Sequence, residues 1–250
     1  MINLTATELL KLRTTRAPWV VAAVLASGAI ALVIFIASVA GSRGTEPLQP
    51  DNLPLLVRAP GQIVGFGMIL LGVLSVTAEF RHRTAVTTFL AEPRRGRMLA
   101  AKGLAMATVA ACVAALVAVV TLATAAAEFQ VHDVAFQLTS HGTPAAIAGL
   151  LAAAVLSGLL GVALGALLPN TAAALTCALV WTFVIEGVLP VVTRNPGLVR
   201  WLPDGALGAV RSLGAASDQL ISPLSAVVVL LAYVAALALA GLVLLQRREV

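Results

Sequence analysis

Six long apolar runs separated by short polar stretches set the pattern of this chain. They fall at about 18–40, 61–78, 103–127, 144–168, 171–192 and 224–245. Each is close to the ~20 residues an α-helix needs to cross ~30 Å of hydrocarbon. Lipid offers backbone N–H and C=O groups no partners, so a spanning segment must bond within itself as a helix. The pattern therefore predicts an all-α integral membrane protein with six transmembrane helices, organised as a single domain over 1–250.

The stretches between the runs are unequal. Residues 1–16 are amphipathic, with Leu9, Leu10 and Leu12 among basic side chains. Thr5 and Glu8 have the spacing of a capping box, in which a hydroxyl and a carboxylate satisfy free N–H groups at a helix start. Lys11, Arg13 and Arg16 can reach lipid phosphates, and Trp19 suits the membrane boundary. This predicts a helix in the interface plane; the plainer reading is a basic flank of the first span. The segment 41–60 reads as a loop with several prolines. Pro169 and Asn170 form a very tight turn, so the fourth and fifth spans make a helical hairpin. The longer segment 193–223 mixes apolar residues with Arg200, Asp204, Arg211 and Asp218, which suits short re-entrant half-helices before the last span.

Composition agrees. The 250 residues are 60% hydrophobic and only 11% charged, with a mean hydropathy of +1.01. A soluble domain carries roughly 25% charged residues, so too few remain here to cover a water-facing surface. The net charge of +5 and the interleaving of bases with apolar runs point to anionic headgroups, not nucleic acid. The first run is long and lacks the small-residue cleavage site of a signal peptide. Cys112 and Cys177 both lie within apolar runs, which predicts small buried side chains and not a disulfide framework or metal site.

Lys and Arg set the orientation. With the N-terminus inside, the inner side holds Lys11, Arg13, Arg16, Arg81, Arg83, Arg94, Arg95, Arg97, Lys102, Arg247 and Arg248. The outer side holds Arg43, Arg58, Arg194, Arg200 and Arg211. The bias predicts that both termini are cytoplasmic, in a bacterial-type cell membrane.

The inner stretch 79–102 carries the functional signal. A charged start, Glu79 to Arg83, precedes a short apolar helix-like run over 84–90, which Pro93 breaks. Arg94, Arg95 and Arg97 follow, and a new helix begins toward Lys102. Val86, Phe89 and Leu90 on a short cytoplasmic helix would form an apolar knob facing water, a feature suited to docking. The blander reading is a basic loop that only fixes topology.

Glu79-Phe-Arg-His-Arg-Thr84, Thr87-Thr-Phe-Leu-Ala-Glu-Pro-Arg-Arg-Gly-Arg97 and Ala100-Ala-Lys102 together resemble the first cytoplasmic loop of type-2 ATP-binding-cassette (ABC-2) exporter permeases. Arg200-Trp-Leu-Pro-Asp-Gly-Ala-Leu207 is similar to a stretch that recurs before the last span of that family, and the layout matches along the whole chain. The resemblance implies a permease paired with a second copy or a related permease and served by two cytoplasmic ABC ATPase subunits. It implies that 84–90 is the coupling helix seating in the ATPase, with Thr84, Val86, Thr87, Phe89 and Leu90 in the contact. Glu79 would stand at the membrane–cytosol hinge, with Arg81 and Arg83 near it. ATP and Mg would be held by the partner, because this sequence has no G-x-x-x-x-G-K-[ST] phosphate loop. The chain itself would be non-catalytic and bind no cofactor. A hydrophobic drug, antibiotic or lipid is the expected cargo, on family analogy alone.

Glu186 is the one acid well inside an apolar run. Intramembrane ionisable groups are costly and often functional. It could meet a cationic substrate, pair with Arg194 or Arg200, or be satisfied by water or a helix end. Gly61 with Gly65, and Gly161 with Gly165, have the spacing that permits close helix approach; packing within the subunit is favoured over a dimer seam. His82, His132 and His141 are scattered and lack metal-ligand spacing. An intramembrane enzyme would need convergent nucleophile and base groups at membrane depth, and none can be assembled. An ion-coupled secondary transporter would carry more buried charge and two related repeats. A membrane scaffold working without an ATPase would share the six spans and need no coupling loop.

Overall fold

The computed structural model describes residues 2–40, 46–81, 95–138, 142–193, 196–215 and 221–247. All regular structure among them is helical. In chain order the helices are α1 (Ile2–Thr14), α2 (Ala17–Val39), α3 (Leu53–Arg58), α4 (Gly61–Arg81), α5 (Arg95–Val131) and α6 (Thr143–Leu167). The fifth apolar run is α7 (Thr171–Leu179), a π-helical stretch (Val180–Ile185) and α8 (Glu186–Thr193) in continuous succession. Then come α9 (Pro196–Val199), α10 (Pro203–Arg211) and α11 (Pro223–Arg247). Six helical stretches are long and apolar enough to cross a membrane, in the places the hydropathy pattern marks.

α6 is the hub, with 61% of its most apolar window buried, against 12% for the fifth span and 11% for the sixth. Those two are therefore the spans least covered by the rest of the chain. α4 packs on α6 with no side chain between the backbones. A Cβ on Gly161 would fall 2.2 Å from the Ile69 carbonyl oxygen, and one on Gly72 would fall 2.4 Å from that of Gly158. Only glycine permits that approach. A Cβ on Gly65 would meet Ser157 and one on Gly165 would meet Val73, so both glycine pairs serve packing inside the subunit. The main core gathers Leu25, Met68, Leu71, Met106, Val117 and Leu150 from α2, α4, α5 and α6. A second cluster joins Leu156 and Leu160 of α6 to Leu207 and Val210 of α10 and Leu230 of α11.

Three local expectations are corrected. Cys112 and Cys177 are exposed on their helices, not buried. α1 begins at Ile2, so Thr5 lies inside the helix and does not cap it, and the Glu8 carboxylate is drawn to ammonium groups instead. Ionised partners make stronger hydrogen bonds than backbone N–H groups. The supposed loop 41–60 contains a 3₁₀ turn at Pro50–Asn52 and the helix α3. Leu53, Leu56 and Val57 of α3 are fully buried, and Leu53 and Leu56 pack with Val33 and Phe129. Prolines at the starts of these short helices cost nothing, because the first N–H groups have no intrahelical acceptor.

The tight turn does connect two helices. Asn170 caps α7, its Oδ1 accepting from Ala172 N at 3.0 Å and Ala173 N at 3.3 Å. At the other end of α6, Gly142 holds φ +100° beside Gly214 at φ +78°, and Arg58 Nη2 donates to the Leu213 carbonyl at 3.0 Å. That bond ties α3 to the segment following α10.

Candidate functional site

The charges meet at two places, at opposite ends of α4. At the C-terminal end of α4, four ionised groups from three helices converge. Lys102 Nζ donates to Glu8 Oε2 at 2.6 Å and to Glu79 Oε1 at 2.6 Å. Lys11 Nζ donates to Glu8 Oε1 at 2.6 Å and to the same Glu79 oxygen at 3.0 Å. The Lys102 side chain is 3% exposed and the two carboxylates 11% and 12%, whereas Lys11 is 43% exposed. Lys102 is thus the buried centre and Lys11 the outer member.

Local sequence explains how each arrives. Glu8 and Lys11 are three apart on α1 and so share a face. Glu79 stands in the last turn of α4. Lys102 lies two turns into α5, just before Gly103, and its long stem brings the ammonium to both acids. Burial alone would push the Glu8 carboxyl up, but Lys102 and then Lys11 outweigh it and hold it below the ordinary carboxylate value. Burial likewise opposes the Lys11 ammonium, yet the bonds to Glu8 and Glu79 carry its pKa above the ordinary lysine value. Both groups are therefore ionised at neutral pH.

Among the residues expected to anchor at the interface, Lys11 belongs to this cluster and is not held out toward phosphates. Arg13 and Arg16 are exposed. Trp19 is 64% exposed, and its indole Nε1 donates to the Arg13 carbonyl at 3.1 Å, tying α1 to α2. Glu79 is in the cluster. The backbone of Arg81 ends α4. Arg83, Thr84, Val86, Thr87, Phe89 and Leu90 lie outside the described residues, within 82–94. That segment is bracketed by α4 and α5, which the Glu79–Lys102 pair joins. Sequence reasoning misses Glu8 and Lys102 as partners. Its one available signal is charge economy: Glu8 is the sole acid in 1–16, and Lys102 stands at the edge of an apolar run.

The second place is Glu186, 6% exposed. Its carboxylate accepts from Trp181 Nε1 at 2.7 Å, from Asp204 N at 2.9 Å and from Gly205 N at 3.3 Å. It therefore closes the N-terminal end of α10, where free N–H groups and the helix dipole favour negative charge. No ion pair to Arg200 forms among the described residues, and Arg194 lies outside them. Asp204 turns the other way, to Arg211 Nη2 at 3.2 Å and Gln62 Nε2 at 3.1 Å. The π-helical stretch ends at Ile185, immediately before Glu186, and such stretches cluster at functional sites. Glu186 also lines a cavity of about 250 Å³ with Trp181, Leu207, Tyr233 and Leu237.

Fold and charge placement define a multi-pass, all-helical membrane protein with a buried ion cluster at one end of its bundle. No protein-family model matches the chain, and no curated protein matches it.

Proposed function

We propose that this chain is the membrane-spanning permease subunit of an ATP-driven exporter of the ABC-2 type. It pairs with a second copy or a related permease and is driven by two cytoplasmic ATPase subunits that hold ATP and Mg. Both termini face the cytoplasm, α1 lies in the interface with Arg13, Arg16 and Trp19 toward headgroups, and α9 and α10 are the outer half-helices. The cargo is a hydrophobic drug, antibiotic or lipid.

One observation carries the reading beyond the loop resemblance. Glu79 and Lys102 clamp the two helices that enter and leave 82–94, and Glu8 adds α1 to the clamp. A push on that segment reaches three helices as one body, which is what a coupling loop requires. α5 extends the lever: its 37 residues span about 55 Å, against ~30 Å of hydrocarbon. ATP binding can switch access only by stabilising one arrangement over the other.

The test is a mild-detergent pull-down from the native membrane, followed by ATP turnover and transport in the assembled complex. A stoichiometric ATPase and uncoupling by Phe89→Asp with Leu90→Asp are expected. Transport by the purified chain alone in proteoliposomes, or unchanged transport in the double variant, would sink the proposal.

A further inference from the structure

At the Lys102 end, α1, α2, α4 and α5 enclose a cavity of about 640 Å³, within the usual range for small-ligand sites. Its wall has two characters. Leu12, Pro18, Leu71 and Leu74 make one part apolar, while Glu8, Lys11, Glu79 and Lys102 make the other ionic.

The ionic part is not used up. An ammonium has three N–H donors. Lys11 gives two of them, to Glu8 and Glu79, and Lys102 gives two to the same pair. One N–H therefore remains on each lysine with no protein acceptor among the described residues. Glu8 receives one bond on each oxygen, and an ionised carboxylate oxygen accepts two. The cavity thus offers two donors and spare acceptor capacity side by side. Among the described residues that line it, two acids and two bases balance. It sits where α1 hands over to the first apolar helix, with Thr15 and Ala17 in its wall.

We propose that this cavity binds the headgroup of a phospholipid carrying a primary ammonium, of the phosphoethanolamine type. The phosphate accepts from Lys11 and Lys102, the ammonium donates to Glu8, and an acyl chain lies along Leu71 and Leu74. A quaternary ammonium has no N–H to give Glu8. A headgroup with a phosphate and no cation adds an unbalanced negative charge beside two buried carboxylates. The inference needs only the membrane setting and stands apart from the exporter reading.

The full-length chain, purified in mild detergent and stripped of lipid, is titrated with phosphatidylethanolamine, phosphatidylcholine or phosphatidylglycerol and followed by native mass spectrometry. One phosphatidylethanolamine retained about tenfold more tightly than either other lipid is expected, a difference of about 1.4 kcal/mol. Ser75→Trp fills the cavity from α4 and abolishes that preference. Lys11→Gln, at the exposed mouth, weakens it several-fold without disturbing the buried Lys102, and so decides the matter if the tryptophan variant misfolds. Equal retention of the three lipids overturns the proposal, as does tightest retention of phosphatidylglycerol or an undiminished preference in Lys11→Gln.

Discussion

Removing Lys102 tests the ion cluster most directly. The side chain is 3% exposed and makes two bonds of 2.6 Å, to Glu8 and Glu79. In Lys102→Met the stem volume is largely kept while the charge is lost. Two carboxylates, each about one-tenth exposed, then face one another with Lys11 as the remaining lysine of the cluster. Stripping one partner from a buried charge pair costs about 3–5 kcal/mol, because the charge left behind has lost its solvation. Lys11→Met removes the same type of group with the same number of acceptors, but that side chain is 43% exposed. Water replaces it, and the cost is about 0–1 kcal/mol. The contrast between the two variants is the measurement: unfolding of each purified chain in one detergent, followed by tryptophan fluorescence and circular dichroism. Adding Glu8→Gln and Glu79→Gln to Lys102→Met removes the orphaned charges and recovers at least half of the loss. If Lys102→Met unfolds within about 0.5 kcal/mol of Lys11→Met, a resolution typical of such comparisons, or if the added glutamines recover nothing, the cluster is not the buried charge network described here.

Three further outcomes are expected. The folded-state carboxyl of Glu8 titrates below its ordinary value of 4.5, so its contribution is complete above 4.5 and is lost as pH falls through the lower folded value. Lys11 titrates above its ordinary 10.5, so its contribution is complete below 10.5 and is lost as pH rises through the higher folded value. Melting temperature against pH is therefore flat around neutrality and falls at both ends, with Glu8→Gln blunting the acid limb and Lys11→Met the alkaline one. Gly161→Ala forces α4 and α6 apart at the Ile69 carbonyl and destabilises by at least about 2 kcal/mol, the upper range for overpacking; Gly28→Ala, where a Cβ meets nothing within 4 Å, has no such cost, and equal melting of the two would refute the contact. Glu186→Gln keeps one acceptor but turns an amide toward the N–H groups of α10, costing about 1–3 kcal/mol; faster hydrogen exchange at Asp204 and Gly205 is the specific sign, and unchanged exchange would contradict the cap.

The apolar periodicity makes the spans legible because lipid imposes a length and a composition that nothing else in the chain satisfies. Span ends at Ala17, Thr143 and Thr171 fall where proline, glycine or a capping asparagine interrupts the apolar run. α3 is hidden for the opposite reason: six residues with a proline look like a loop, and only contact with Val33 and Phe129 makes them a buried helix. The π-helical stretch Val180–Ile185 is marked by no residue pattern in the sequence. Glu186 is visible as a charge in the wrong solvent, but besides Trp181 its partners are backbone N–H groups eighteen and nineteen residues away, which no pattern of side chains encodes. Lys102 reads as one more basic residue that sets orientation. Its pairing with Glu8 spans 94 residues, and long-range charge pairs leave no periodicity to read.

The two charged places divide the bundle mechanically. At one end α1, α4 and α5 are tied by ionic bonds of 2.6 to 3.0 Å, and the α4 backbone lies directly on α6. At the other, Glu186 ties the fifth span to α10, which packs on α6 and α11. The fifth span meets α4 along α7, and Phe66 packs against Phe183 edge to face at 5.4 Å, worth about 0.5–1.5 kcal/mol beyond burial. α6 contributes to both cores and joins the two groups. Under the exporter reading, a push on 82–94 enters α4 and α5 and reaches α10 and α11 through α6, which packs on both groups.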